Sequence, residues 1–156
     1  MIEMEDLKRI NLLKPLDDEK LKRLQDVTSL ESVRKGDFFY HSEDPADKLY
    51  AILSGRVGLA VAKSAKGKQS HQHTWVVELG PANCFGVSAA IFTPERTHMT
   101  CAKALSEVKA LSWKSNDLQS LLEQNFEMGY WFMSELARAI KDRLKVKNIQ
   151  YLDIYR

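Results

Sequence analysis

Apolar positions follow three different rhythms along the chain. From Met4 to Leu30 they recur at helical intervals. Leu16, Leu21 and Leu24 form one stripe, Pro15 sits ahead of it, and Asp17 can cap a helix that begins Asp18-Glu19. From residue 31 to Trp113 the apolar clusters shorten and glycine turns punctuate them: Lys35-Gly36-Asp37, Ser54-Gly55-Arg56, Lys66-Gly67-Lys68, Leu79-Gly80-Pro81 and Phe85-Gly86. This pattern predicts strands over 49–53, 57–62, 74–79, 99–104 and 108–113, with a polar hairpin loop over 63–73. Short strands at regular turn spacing imply a sandwich or barrel.

The third rhythm is helical again. Ser115 or Asn116 can cap a helix over 118–124, and a longer proline-free helix follows Asn125 almost to the end. Met133, Ala137, Ile140, Leu144, Lys147, Tyr151 and Ile154 fall at 4-3 spacing and form a seam. A helix of ~30 residues reaches ~45 Å at 1.5 Å per residue. The radius of gyration of a domain this size is only ~13–16 Å. The excess length predicts a homodimer through the 133–154 face. The alternative is that the seam packs back onto its own domain.

Composition narrows the function. The 156 residues fit one domain, 1–156, with a sizeable core. The 23 basic and 21 acidic residues nearly balance, which gives no global argument for nucleic acid or membrane. Cys84 and Cys101 lack metal-ligand spacing and read as reduced thiols. The charged N-terminus lacks a signal-peptide pattern, so a cytoplasmic location is expected. His71 and His73 share a face if extended, but two ligands do not close a metal site, and none is expected. His98 reads equally as a pocket-lining residue or a surface strand position. The runs Lys63, Lys66, Lys68 and Arg138, Lys141, Arg143, Lys145, Lys147 read as a solvated loop and helix face. Trp75, Trp113 and Trp131 read as core or seam residues. No nucleophile–base or paired-carboxylate arrangement supports an enzyme.

The most telling stretch is Phe85-Gly86-Val87-Ser88-Ala89-Ala90-Ile91-Phe92-Thr93-Pro94-Glu95-Arg96-Thr97. Its small apolar residues can make one or two helical turns after Gly86. The start of such a turn offers free N–H groups to an anion. Arg96 and Thr97, folded back beside it, would complete an oxyanion cradle. In the plainer reading, Arg96 is an ordinary exposed arginine, paired with Glu95 or with solvent.

Together with Lys35-Gly36-Asp37, the run from Asp44 to Val57 and Leu79-Gly80-Pro81, this stretch resembles the cyclic-nucleotide-binding domain of catabolite activators and kinase regulatory subunits. The resemblance implies a mainly β fold with flanking helices. Helices occupy 1–30, and a double-stranded β-helix (a jelly-roll-like β-roll) occupies 31–113 with a phosphate-binding cassette at 85–97. Helices at 115–155 end in a long C-terminal dimerisation helix. It also implies that Gly86, Val87, Ser88 and Ala89 offer backbone N–H groups to a cyclic phosphate, that Arg96 pairs with it and that Thr97 donates a hydroxyl. The implied ligand is a cyclic nucleotide or related small anion, and no other cofactor is expected. In the family's transcription factors a DNA-binding domain would begin about where this sequence stops, so no direct nucleic-acid contact is expected of it. Three positions depart from the family pattern. Val87 stands where nucleotide binders carry a ribose-binding glutamate. Glu43 replaces a usual glycine. Arg143 and Leu144 stand near where catabolite activators offer a Thr-Ser pair to the purine. These departures motivate an alternative: a protein-interaction or dimerisation module that kept the fold and lost the nucleotide.

Overall fold

The apolar runs between the glycine turns pair into two four-stranded antiparallel sheets. The computed structural model describes residues 2–65 and 68–154, with side chains described outside 62–76 and 147–154. One sheet contains β1 (Thr28–Val33), β8 (Val108–Lys114), β3 (Lys48–Ser54) and β6 (Cys84–Phe85), in that order. The other contains β2 (Phe38–Tyr40), β7 (Cys101–Ala104), β4 (Val57–Ala65) and β5 (Lys68–Leu79). The result is the expected β-roll.

Strand β3 is apolar at five consecutive positions because both its faces are covered. Tyr50 and Ile52 meet Val57, Leu59, Phe85 and Ala102 between the sheets. Leu49, Ala51 and Leu53 face a second core under the helices. Strand β8 divides the same way, with Val108 and Ala110 between the sheets and Leu111 and Trp113 beneath the helices. Those helices are α1 (Met4–Lys8), a 3₁₀ turn at Asn11–Leu13, α2 (Asp18–Gln25), α3 (Ser115–Gln124) and α4 (Phe126–Ile154). The Asp17 carboxylate accepts the Lys20 amide at 3.0 Å, so the expected cap of α2 is made.

Several boundaries differ from the sequence reading. Strand β1 begins at Thr28, inside the stretch expected to be helical. Only Leu30 and Val33 of its six residues are apolar and none is buried, so no apolar run announces it. Thr28 Oγ1 ties it down, accepting from Trp113 Nε1 and donating to the Leu24 carbonyl, both at 2.6 Å. The hairpin loop expected over 63–73 is shorter, because β4 and β5 remain paired out to Ala65 and Lys68. Lys66 and Gly67 lie outside the described residues, as do the side chains of Lys63, Lys68, His71, His73 and Trp75. Helix α3 starts at Ser115, and no side chain caps it.

Helix α4 rises about 43 Å over its 29 residues. Met128, Phe132 and Leu136 bury its first third against the second core. The expected seam splits: Met133 and Ile140 pack partly on the chain's own core, while Ala137 and Leu144 are exposed. The seam side chains Lys147, Tyr151 and Ile154 lie outside the described residues.

Candidate ligand-binding site

The stretch singled out in the sequence makes one 3₁₀ turn, Val87–Ala90, launched by Gly86 at φ 75°. A side chain at Gly86 would meet the Lys48 carbonyl at 3.0 Å, Tyr50 Cδ2 at 3.4 Å and His98 Cε1 at 3.5 Å. Left-handed backbone and close packing together demand glycine there. The first amides of the turn, at Val87 and Ser88, have no acceptor within it.

Gly86, Val87 and Ser88 form one wall of a cavity of about 280 Å³. Tyr40, Leu59, Val61, Val77, His98, Met99 and Thr100 complete its sides, and Ile140, Arg143 and Leu144 of α4 form its roof. The His98 imidazole lies flat on the Tyr40 ring, with centroids 3.5 Å apart and 11° between the planes. Burial lowers the His98 pKa below its ordinary 6.5, against the opposing pull of Asp44 and Asp47, so the ring is neutral at pH 7. Burial also pushes the Tyr40 phenol above its ordinary 10, against hydrogen bonds to Thr100 and the Gly86 backbone and the nearby Arg143 charge. Arg143 reaches from α4 to donate to the Cys84 carbonyl, with the Cys84 sulfur 3.9 Å away. It also lines a neighbouring cavity of about 260 Å³ between α4 and the Asn11–Leu13 turn.

The other expected ligand residues lie elsewhere. Ala89 is fully buried beneath the turn, in the core. Arg96 does not close over the turn. Its Nε donates to the Thr93 carbonyl at 3.0 Å, its Nη1 to Ser115 Oγ, and its Nη2 to Gln119 Oε1 at 2.9 Å. The Phe92 ring lies 5.3 Å from the guanidinium carbon. Thr97 is exposed and forms an antiparallel bridge with Pro45. Arg96 and Thr97 instead line a third, polar cavity beside the start of α3. Backbone bonds from Ala46 to Arg96 and from His98 to Asp44, each 2.9 Å, pin this segment to the preceding turn. The Arg96–Glu95 pairing of the plainer reading is not made.

Sequence reasoning missed Tyr40 and Ile140 as cavity residues, and brought Arg143 near the ligand only through the family resemblance. One signal for Arg143 was available: it stands three residues after Ile140, hence on the same helical face. Among the described residues no cluster of metal-ligating side chains occurs, and no helix is long and apolar enough to cross a membrane.

Comparison with known proteins places this geometry. The family profile described as cyclic nucleotide-binding domain matches residues 30–125, more than half of the chain. The chain belongs to the cyclic nucleotide-binding domain family. A cyclic nucleotide-binding domain of this regulatory fold is a scaffold for ligand sensing, and its expected β-roll and long C-terminal helix are both present. A protein of Geobacter metallireducens GS-15 is similar at 26% identity, with a TM-score of 0.78 over 92% of this chain and 99% of that one. The N-terminal domain of a transcriptional regulator from Streptomyces coelicolor A3(2) is similar at 28% identity, with a TM-score of 0.68 over 88% and 93%. The regulatory subunit of a cAMP-independent protein kinase A from Trypanosoma cruzi, bound to guanosine, shares the fold at 19% identity, with a TM-score of 0.74 over 96% of this chain and 48% of that one. The comparison with curated proteins returned no match.

Proposed function

We propose that this cyclic nucleotide-binding domain is a non-catalytic sensor. It takes a small anionic ligand, a cyclic nucleotide or close relative, in the cavity walled by Gly86, Val87 and Ser88. The observation that carries this reading is the roof. Ile140, Arg143 and Leu144 belong to α4, so a ligand cannot fill the cavity without touching the helix that leaves the domain. A ligand with different affinity for two helix positions shifts their populations. The module acts in the cytoplasm as a homodimer. The exposed Ala137 and Leu144 on the 133–154 face support that assembly. Arg96 and Thr97 join the ligand contacts only if the segment leaves its bonds to Ser115 and Gln119.

A second reading is favoured by that same arginine. All three guanidinium nitrogens of Arg96 already donate to protein oxygens, as expected of an interaction module that has lost its nucleotide. Calorimetric titration with cyclic AMP, cyclic GMP, cyclic dinucleotides and guanosine separates the two. The sensor reading expects one saturable site per chain for at least one of the cyclic nucleotides or dinucleotides. Silence with every compound establishes the interaction module instead.

A further inference from the structure

Charge is distributed unevenly around the roofed cavity. Among the described residues that line it, Arg143 is the sole side chain with a formal charge. Its neighbours are apolar, hydroxyl-bearing or glycine, apart from His98, which burial keeps neutral. Arg143 is half-buried, and its acceptor is a neutral peptide carbonyl, that of Cys84. No carboxylate of the described residues stands within ion-pair distance of it. Within the roofed cavity itself Arg143 meets no counter-charge, because Glu135 and Asp142 line the neighbouring cavity that it also borders, and an entering oxyanion supplies one. The group also offers a planar fork of donors, suited to two oxygens of one phosphate. Arg96, the cation that the family resemblance assigns to this task, lines a different cavity and is engaged by Thr93, Ser115 and Gln119.

We propose that Arg143, on α4, is the group that grips the ligand's oxyanion in this domain, in place of the cassette arginine Arg96. This rests on the sensor reading above and makes it more specific. The phosphate of a cyclic nucleotide draws Arg143 off the Cys84 carbonyl and bonds directly to the long helix. The strongest ligand contact is then made by the element that moves, and the cassette turn contributes shape. A neutral nucleoside can fill the same cavity without engaging Arg143.

The test titrates cyclic AMP, cyclic GMP, adenosine and guanosine into wild type, Arg143→Gln, Arg143→Met and Arg96→Gln, with circular dichroism melts to show that each variant is folded. Arg143→Met retains the apolar stem, so one folded variant of the two at this position suffices. The expected result is that loss of the Arg143 charge weakens cyclic nucleotide binding about 10- to 150-fold, the worth of one charged hydrogen-bonded contact. Nucleoside binding and the cyclic nucleotide affinity of Arg96→Gln should stay within about threefold of wild type. Cyclic nucleotide binding that survives in the Arg143 variants, or disappears in Arg96→Gln, overturns the inference and leaves the sensor reading standing. Wild type that binds nucleosides with no preference for the cyclic phosphates overturns it equally. Wild type that binds none of the four, nor any cyclic dinucleotide, overturns both.

Discussion

Arg96 and Ser115 are joined through the guanidinium Nη1 and the serine hydroxyl, although 19 residues separate them in sequence. The serine passes the contact on. Its Oγ donates to the Ala89 carbonyl at 2.5 Å, and its backbone amide donates to Asp47 at 2.7 Å. One buried residue at the start of α3 thus holds the cassette turn, the cassette arginine and the entry to β3. Removing a partner from such a relay leaves a donor or acceptor unmet, at ~1–3 kcal/mol. Ser115→Ala is therefore expected to lower the unfolding free energy by that amount, and Arg96→Ala by a similar one. Because they share a partner, the double variant should lose at least ~0.5 kcal/mol less than the sum. Urea denaturation of the four proteins checks this; strict additivity would show that the two residues stabilise the fold independently.

Glu43 carries a backbone that suits glycine. Its φ is 69°, left-handed, in the turn between β2 and β3. The turn is fixed on both sides. The Asp44 carboxylate accepts the His41 amide at 2.9 Å, and the Glu43 amide donates to the His98 carbonyl at 2.9 Å. A non-glycine residue in this region costs ~1–2 kcal/mol, of which glycine's greater freedom in the unfolded chain returns part. Glu43→Gly should raise the unfolding free energy by ~0.5–1 kcal/mol, read as a higher urea midpoint at unchanged slope. A fall in midpoint would show that the Glu43 side chain contributes more than its backbone costs.

The sequence made the centre of this fold legible and its edges illegible, for physical reasons. Strands β3 and β8 lie between two cores, so their apolar runs are long. Strands β1, β2 and β6 are polar, half-exposed or only two or three residues long, and their pairing depends on partners far along the chain. The helical start of α3 was displaced because Ser115, read as a cap, spends its hydroxyl on Ala89. In the site, Gly86, Val87 and Ser88 were legible from one glycine and its small neighbours. The direction of Arg96 was not, since it depends on acceptors 19 and 23 residues away. The basic run around Arg143 reads as solvent-facing, and only the family resemblance set this residue near the ligand; its reach to Cys84 depends on a partner 59 residues away.

The first third of α4 anchors the roof of the cavity. Phe132 is fully buried, whereas Tyr130, two residues earlier, is 66% exposed and rests edge-on against Trp131. Truncating a buried phenylalanine costs ~3–5 kcal/mol in transfer and cavity terms. Phe132→Ala should lose that much in urea denaturation, while Tyr130→Ala should stay within ~0.5 kcal/mol of wild type. Equal losses would mean that α4 is held by its other face. If the domain is the proposed sensor, a folded Phe132→Ala protein should also bind the ligand more weakly, because the roof residues ride on the same helix.

His98 makes stability depend on pH in a definable direction. Asp44 and Asp47 stabilise its charged form, Tyr40 covers one ring face, and Arg143 lines the same cavity from α4. Burial outweighs the carboxylates and sets the folded pKa below the 6.5 of the free side chain. Between those two values the unfolded chain binds more protons than the folded one, so stability rises with pH there. The contribution is complete above the unfolded pKa and is lost as pH falls through the folded one. Wild type should therefore show a lower urea midpoint at about pH 5.5 than at about pH 7.5. His98→Phe keeps an aromatic ring on Tyr40 and removes the titration, so its midpoint should fall less over the same interval. An equal fall in both proteins would assign the pH dependence to the carboxylates and leave His98 as a packing residue.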